Sequence, residues 1–384
     1  MKEIKGFKNC NILVGNEIIK TNLLIEDGKI SYIGKLDKEY KNLVELDSKK
    51  IVVPGFIDEH VHGAAGSDAM DGTIKDLETI ACALAKEGTT AFLATTMTQS
   101  KANIDKALNN VNEYMKLNNE KGAKVLGVHL EGPFISLKHV GAQPIEHVQK
   151  PTVENFKHYE EASGGNIKIV TLAPEVEGAF ELVKYCKEKG IVASIGHSDA
   201  TYKDCQEALK KGASNITHTY NAQKGLHHRE IGVVGSAMLF DEFNCEAICD
   251  GIHLSIPAIN LLIKNKPADK FTLITDAMRA KHMPDGVSEL GGQTVYVKGD
   301  EARLADGTLA GSVLKMNKAV ANIMKFANKD LVTAVSYASI NPAKNLKVFD
   351  KMGSIEVGKF ANFAIVDNDV NVYQTIREGK VIFE

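Results

Sequence analysis

Two histidines stand one residue apart, directly after an apolar run of the chain. His60 and His62 follow residues 51–58, IVVPGFID, within the stretch PGFIDEHVHG. Because side chains alternate along a strand with a period of two, both imidazoles would lie on the same side of a strand end and could reach one ion. The pair therefore points to a metal site.

Further side chains suited to metal binding or acid–base chemistry follow other apolar runs. They are Glu131 after KVLGVHL, His197 in IVASIGHS, His218 in NITHT, His253 in EAICDGIH and Asp276 in FTLITDA. A single histidine at a strand end is more often an ordinary polar residue, but the recurrence of the pattern favours one shared site. Imidazoles and carboxylates suit a divalent Zn, Fe, Co or Mn ion. The lack of nearby thiols argues against a structural cysteine-type zinc site.

Segments with helical spacing separate these apolar runs in the central part of the chain. AFELVKYCKEKG and DCQEALKKGA, for example, place apolar residues three to four positions apart and end in Gly. The alternation of strand and helix predicts an α/β fold, a (β/α)8 TIM barrel over residues 53–344. The strand ends of such a barrel share one face, where the predicted site would lie. Residues 283–311 interrupt the alternation and are predicted to form an inserted hairpin.

Both ends of the chain show a different pattern, with short strands separated by polar turns. Examples are NLLIEDGKISYIG near the start and FANFAIVDNDV near the end. Chain termini often lie close together, so we predict that residues 1–52 and 345–384 form one small, discontinuous β-sandwich domain.

Composition narrows the class of protein. The chain has 384 residues, 44% hydrophobic and 25% charged, which is ordinary for a soluble globular protein. A formal net charge of -3 gives no general basic field for nucleic acid or an anionic membrane. The first twenty residues contain no long apolar segment, and the six cysteines are scattered without a CxxC pair. We therefore expect a cytoplasmic protein with neither a membrane nor a nucleic-acid partner.

Two polar segments lie near the predicted site. The run HHRE, residues 227–230, could be a solvated loop, but its position after the His218 motif makes it a candidate anion clamp. Arg229 would supply planar, bidentate donors for phosphate. Asp199, in GHSDAT, is predicted to cap the following helix.

A series of motifs occurs in an order that resembles a known family. The motifs are PGFIDEHVHG, HLEGPFI, KHVGAQP, TLAPE, GHSDAT, THTYNA, GLHHREIGVVG, DGIHL, TDAM and DGTLAGS. Together they closely resemble the N-acetylglucosamine-6-phosphate deacetylase family of the amidohydrolase superfamily, over essentially the whole chain. LEGPF and the pair THTYNA and HHRE are specific to this family, whereas His-x-His alone marks only the superfamily.

The resemblance implies hydrolysis of N-acetyl-D-glucosamine 6-phosphate to D-glucosamine 6-phosphate and acetate, in amino-sugar catabolism and cell-wall sugar recycling. It assigns Glu131, His197 and His218 to the main catalytic metal. Asp276 would act as general base and then general acid on metal-activated hydroxide, and His253 would polarise the acetyl carbonyl. The residues implied to bind the amino sugar phosphate are Ala142, Gln143, Asn221, Ala222, His228, Arg229, Leu309, Ala310 and Gly311.

One departure from part of the family concerns the number of metal ions. Some members carry Gln-x-Asn where this chain has His60 and His62, and these members hold a single ion. The resemblance therefore implies one or two ions per chain, with Glu131 bridging them if both are present. It also implies a homodimer, in which His228 or Arg229 could reach the neighbouring subunit's site.

Other functions remain open at the level of sequence. A dihydroorotase-like or hydantoinase-like cyclic amidase, or a deaminase, would share the barrel. Such enzymes usually place a lysine or another histidine where Glu131 stands, and they lack LEGPF. A catalytically inactive scaffold is a further alternative, although the chain retains every predicted metal ligand and Asp276.

Overall fold

Strands from both ends of the chain form one hydrogen-bonded sheet. The computed structural model describes residues 2–384. In sheet order the seven strands are β20 (Lys380–Phe383), β19 (Val372–Arg377), β18 (Phe363–Val366), β4 (Ile51–Pro54), β1 (Gly6–Val14), β2 (Glu17–Glu26) and β3 (Lys29–Gly34). The predicted β-structure from both termini is confirmed. The sheet has its own apolar core, in which the rings of Phe7 and Phe363 pack edge to face, 5.6 Å apart.

A second sheet of eight parallel strands forms the barrel, which confirms the predicted fold class. The strands are β5 (Phe56–Val61), β8 (Thr89–Thr96), β9 (Lys124–Glu131), β10 (Ile167–Leu172), β11 (Val192–Ile195), β12 (Asn215–Ile216), β13 (Asn244–Ile248) and β14 (Phe271–Ile274). Residues on both faces of these strands are buried, as expected for parallel strands covered by helices.

Ten α-helices lie in residues 2–384, and most of them surround the barrel strands. They are α1 (Ile74–Ala85), α2 (Lys101–Lys116), α3 (Val153–Ala162), α4 (Ala179–Lys189), α5 (Tyr202–Lys211), α6 (Gly232–Leu239), α7 (Ile256–Asn265), α8 (Met316–Phe326), α9 (Leu331–Ala338) and α10 (Ile340–Asn345). No helix in this part of the chain has the length and apolar character needed to cross a membrane. The N-cap of α5 is Thr201, so the prediction that Asp199 caps this helix is wrong.

The first barrel run of the sequence is divided between the two sheets at Gly55. Residues Ile51–Pro54 pair with the terminal sheet, whereas Phe56–Val61 enter the barrel. The amide of Gly55 donates to the carbonyl of Asn362, and a Cβ at Gly55 would lie 2.2 Å from Thr90 Cγ2. The chain can therefore turn from one sheet into the other only because this position has no side chain.

The barrel closes between its first and last strands through polar contacts. The backbone amide of Asp276 donates to the carbonyl of His60 at 2.8 Å, and Val61 and Ala277 form a parallel bridge. Earlier in the first strand, the buried Asp58 carboxylate accepts a hydrogen bond of 2.6 Å from the Thr275 hydroxyl. The strand ends that carry His60 and Asp276 are thus held together by the closure itself.

An inserted sheet follows β14 and covers part of the barrel mouth. It consists of β15 (Gly286–Leu290), β16 (Gln293–Lys298) and β17 (Glu301–Arg303), in antiparallel order. The predicted hairpin is therefore confirmed and has one further strand. Alternate residues of β16 are buried, and they pack with Met97 and Met278 of the barrel loops. This insert brings residues 303–311 to the cavity described below.

A buried ion pair connects the turn after α1, the loop after β14 and the start of α8. Glu87 is fully buried and accepts hydrogen bonds from Lys281, from His282 at 2.7 Å and from the amide of Met316 at 2.9 Å. Burial acts to raise the pKa of the Glu87 carboxyl, but the charges of Lys281 and His282 outweigh it and hold the pKa below its usual range. The ionised form of Glu87 therefore stabilises the folded chain.

We expect Glu87→Gln to reduce the free energy of unfolding by about 3–5 kcal/mol, because it leaves Lys281 buried without a counter-charge. Since the folded pKa is lowered, the contribution of Glu87 is present above the unfolded pKa of about 4.3 and is lost as the pH falls below it. Denaturant unfolding from pH 7 to pH 3 measures both effects. Glu78→Gln, which breaks the exposed pair with Lys121, is the matched control and should change stability by at most about 1 kcal/mol. Equal effects of the two variants would contradict this role.

Candidate active site

A cavity of about 350 Å³ opens at the carboxyl ends of the barrel strands. Many predicted site residues line it, namely His62, Glu131, Ala142, Gln143, His197, His218, Asn221, Ala222, His253, Asp276, Leu309 and Gly311. His60 is fully buried behind this lining, and Ala310 is buried in the core of the insert. The exposed loop with His228 and Arg229 is not part of the lining.

Glu131, His197 and His218 meet at the centre of the cavity floor. Glu131 Oε1 lies 3.2 Å from His197 Nε2 and 2.9 Å from His218 Nε2, and the two Nε2 atoms are 3.1 Å apart. The other ring nitrogen of His197 contacts the carbonyl of His139 at 2.9 Å, which directs Nε2 toward the cluster. The three side chains together could hold a metal ion.

His60, His62 and Asp276 form a second group on the other side of Glu131. His62 Nε2 lies 3.3 Å from Glu131 Oε2 and 3.2 Å from Asp276 Oδ1, while His60 Nε2 is 3.5 Å from both Glu131 Oε1 and Asp276 Oδ1. His60 Nε2 is buried and makes no hydrogen bond in the described structure. A buried imidazole nitrogen facing two carboxylates fits a cation between them.

The charges of this cluster favour a cation at its centre. Burial alone would raise the pKa of Asp276, but positive charge on His60 and the contact with His62 lower it to about 2. For His62 the directions are reversed: burial acts to lower the pKa of the ring, but its contacts with Asp276 and Glu131 raise it to about 10. The carboxylates therefore remain ionised, and protons on the histidines or a divalent ion balance their charge.

The backbone is strained at three of these residues. His197, His218 and Asp276 have φ values of 48°, 28° and 48°, in the left-handed region that side chains other than Gly seldom adopt. Such strain is typical of functional sites, where the surrounding structure enforces it. The sequence shows no sign of it.

Gln143 contacts Glu131 rather than standing free in the cavity. Its Nε2 donates to Glu131 Oε2 at 2.8 Å, and its Oε1 accepts from the amide of Thr98 at 2.7 Å. The residue was predicted to bind substrate. In the described structure its amide orients the carboxylate that lies between the two histidine groups.

His253 is oriented by an aspartate that the sequence analysis did not select. Asp250 Oδ2 accepts a hydrogen bond of 2.6 Å from His253 Nδ1, and Asp250 Oδ1 accepts 2.8 Å bonds from the amides of Ile252 and His253. The spacing Asp-x-x-His within DGIH is the signal that could have indicated this pair. Asp250 fixes the ring of His253 at the edge of the cavity.

The inserted sheet and the loop that follows it form the remaining wall of the cavity. Leu309 bridges to Arg303, and both line the cavity together with Thr308. At Gly311, φ is 59° and a Cβ would lie 3.1 Å from the carbonyl of Asp276, so the close approach of this loop needs glycine. Arg303 is the one arginine or lysine among the lining residues of the described chain. Arg303 was not among the predicted site residues, because it lies in the segment that interrupts the alternation of strands and helices.

The chain was compared with known proteins. A model of the Amidohydrolase family matches residues 51–382. N-acetylglucosamine-6-phosphate deacetylase of Bacillus subtilis (strain 168) is 44% identical over 388 residues, which cover 100% of this chain and 98% of the relative.

Solved structures agree with this similarity. N-acetylglucosamine-6-phosphate deacetylase of Thermotoga maritima has a TM-score of 0.90 and 35% identity over 99% of both chains. A mutant of N-acetyl-D-glucosamine-6-phosphate deacetylase from Mycobacterium smegmatis, in complex with N-acetyl-D-glucosamine-6-phosphate, has a TM-score of 0.90 and 26% identity over 100% of this chain and 98% of the other. The chain therefore belongs to the amidohydrolase family, as its motifs predicted.

Proposed function

We propose that this protein hydrolyses the acetamide of N-acetyl-D-glucosamine 6-phosphate to give D-glucosamine 6-phosphate and acetate. The observation that carries the proposal is the convergence of Glu131, His197 and His218 with Asp276 and His253 around one cavity. The names of the relatives give the substrate, and their similarity extends over the whole chain. A cyclic amidase or deaminase has no comparable support.

The metal-binding residues of the proposal fall into two sets. Glu131, His197 and His218 would hold the main ion, and His60 and His62 a second, with Zn, Fe, Co and Mn as candidates. A divalent ion held there would lower the pKa of a bound water toward neutrality and so supply hydroxide at neutral pH. Glu131 lies between the two sets: its Oε1 faces His218 and also His60, and its Oε2 faces His62.

Asp276 and His253 carry out the proton and charge chemistry of the proposal. Asp276, whose Oδ1 lies 3.2 Å from His62 Nε2, accepts a proton from the attacking water. It then returns the proton to the nitrogen, so that the amine leaves as a neutral molecule. His253 donates to the carbonyl oxygen as negative charge develops there, and Asp250 holds the ring in place through its contact with Nδ1.

Acetate release from N-acetyl-D-glucosamine 6-phosphate by the purified, metal-loaded protein tests this function. N-acetyl-D-galactosamine 6-phosphate, a dihydropyrimidine and adenine are the comparison substrates. Turnover of the glucosamine derivative with the highest kcat/KM would support the proposal. Release of ammonia from adenine, or ring opening of the dihydropyrimidine without deacetylation, would contradict it.

The phosphate contact of the substrate is assigned to Arg229, with Asn221 and Ala222. We expect Arg229→Gln to lower kcat/KM for the phosphorylated sugar by about 10–100-fold, since hydrogen bonds to charged groups contribute about 1.5–3 kcal/mol. Hydrolysis of unphosphorylated N-acetylglucosamine should not change, because the phosphate binds away from the reacting carbonyl. Steady-state kinetics with both sugars measure the difference.

Arg303→Gln is the matched comparison, since Arg303 lines the cavity of its own chain and Arg229 does not. Loss of the phosphate preference in Arg303→Gln alone would contradict the assignment to Arg229.

Because the loop of Arg229 is exposed and outside the cavity lining, a phosphate contact would require this loop to reach a neighbouring subunit's cavity. We therefore propose a homodimer, which light scattering would test, and a cytoplasmic location, in keeping with six free cysteines.

A further inference from the structure

Glu246 lies beneath both histidine groups of the candidate metal centre. It stands in the middle of β13, and neither the side chain nor the surrounding strand is exposed to solvent. Its Oε2 accepts a hydrogen bond of 3.0 Å from His60 Nδ1 and one of 3.2 Å from the backbone amide of His218. One carboxylate oxygen therefore contacts a member of each group.

The contact with His60 determines which nitrogen of the ring faces the cluster. A carboxylate can only accept a hydrogen bond, so Nδ1 carries the proton in this contact. A neutral His60 then has its free electron pair on Nε2, the buried nitrogen that makes no hydrogen bond and lies 3.5 Å from Glu131 and Asp276. Metal-binding histidines commonly use this arrangement, with a carboxylate on the nitrogen that does not bind the ion.

Packing alone does not account for a carboxylate at this place. Glu246 Oε1 is buried and has no hydrogen-bond partner in the described structure. Glu59, a second fully buried acidic residue, lies close by, and burial together with the charge of Glu246 raises the pKa of its carboxyl well above the usual range. A buried, partly unsatisfied charge lowers stability, and such groups are typical of sites where function constrains the fold.

His129 packs against His60 with ring centroids 4.4 Å apart, but it does not compete for this role. Its Nδ1 contacts the carbonyl of Glu59 at 3.0 Å and its Nε2 contacts the Thr171 hydroxyl at 2.7 Å. Both ring nitrogens are therefore engaged. Although His60, His129 and Glu246 lie within reach of one another, His129 serves to fix the position of the His60 ring rather than to bind an ion.

We propose that Glu246 is a positioning residue that holds His60 in the orientation and tautomer required to bind the second ion, while its bond to the His218 amide keeps the two histidine groups in fixed relation. This inference deepens the proposed function, because it rests on His60 as a metal ligand. It acts through His60 and does not require Glu246 to contact substrate or metal.

Stepwise zinc titration of metal-free protein against a competing chelator tests this role. We expect Glu246→Ala to weaken binding of the second ion by about 10–100-fold and to affect the first ion less, because the main group keeps its three side chains. Glu59→Gln is the matched control. It changes a neighbouring buried acidic side chain that bonds to Asn345 rather than to a histidine of the centre, and zinc binding should not change.

A spectroscopic measurement and a second variant complete the test of Glu246. Cobalt substitution should give a visible absorption change on adding the second equivalent in the wild type and a weaker one in Glu246→Ala. If Glu246→Ala does not fold, Glu246→Gln replaces it, with a smaller loss in the same direction because the amide oxygen still accepts from His60. The inference would be overturned if Glu246→Ala bound the second ion as tightly as the wild type does. It would also be overturned if Glu59→Gln weakened binding of the second ion equally, or if the wild-type chain bound only one ion. Acetate release by wild-type protein tests the proposed function independently of these titrations.

Discussion

Replacement of Asp276 by Asn should lower kcat for acetate release by about 10²–10⁴-fold, the usual contribution of a positioned proton-transfer group. An amide cannot accept the proton of the attacking water or return it to the leaving amine. The variant should still fold, because Asn, like Asp, adopts the left-handed φ of 48° more readily than most residues. Its shape also preserves the backbone bond from position 276 to His60, which closes the barrel.

Metal analysis and single-turnover kinetics on the Asp276→Asn protein check this expectation. Metal content at the main group should equal that of the wild type, so that a loss of turnover reports proton transfer. Asp285→Asn, an exposed position in the loop that follows the same strand, is the control and should retain full activity. Near-normal turnover of metal-loaded Asp276→Asn would remove Asp276 from the proposed mechanism.

Replacement of Glu131 by Gln should have an even larger effect, because Glu131 contacts both histidine groups. The neutral amide removes the negative charge that lies 2.9 Å from His218 Nε2 and 3.3 Å from His62 Nε2. We expect most of the bound metal to be lost, and kcat to fall by more than the roughly 10²–10⁴-fold of a proton-transfer variant. The source of hydroxide at neutral pH is lost together with the ion.

Metal content after dialysis and the acetate-release rate distinguish this outcome from misfolding. Metal-free Glu131→Gln should still unfold in one cooperative thermal transition, but with a midpoint below that of metal-free wild type. Burial acts to raise the pKa of the Glu131 carboxyl, yet His60, His197 and His218 hold it well below its usual range, and the amide leaves these rings without a counter-charge. Activity should not return when zinc, cobalt or manganese is added at micromolar concentration. A variant that kept wild-type metal content and turnover would show that Glu131 does not bind the catalytic ion.

Local patterns in the sequence predicted the barrel and the histidine and carboxylate side chains of the cavity. The other predicted lining residues came from the family resemblance, namely Ala142, Gln143, Asn221, Ala222, Leu309 and Gly311. Apolar runs ending in His60, Glu131, His197, His218 or Asp276 mark the carboxyl ends of strands, and the topology of a parallel barrel brings those ends together. The phosphate contact of Arg229 is a prediction that rests on family motifs.

Contacts made across the fold could not be predicted in the same way. Glu246 lies in NCEAICD, where a single acidic residue among apolar ones indicates only a polar position in a strand. Nothing in this local pattern indicates its hydrogen bond to His60, which is 186 residues away in the sequence. The capping role predicted for Asp199 failed because its carboxylate is engaged by Lys138 and Lys224. The division of the first barrel run at Gly55 depends on Thr90 and Asn362, which only the folded chain brings near.

The pairing of β4 with β18 has a consequence for how the protein is made. Ile51 pairs with Val366 and Pro54 with Phe363, so β4 leaves the ribosome roughly 300 residues, or about 15–60 s, before its partner. Throughout that interval one edge of the nascent terminal sheet presents unpaired backbone groups beside the growing barrel. An exposed strand edge of this kind is a template for aggregation. Slow translation of the barrel should therefore lower the soluble yield, and chaperones that shield strand edges should raise it.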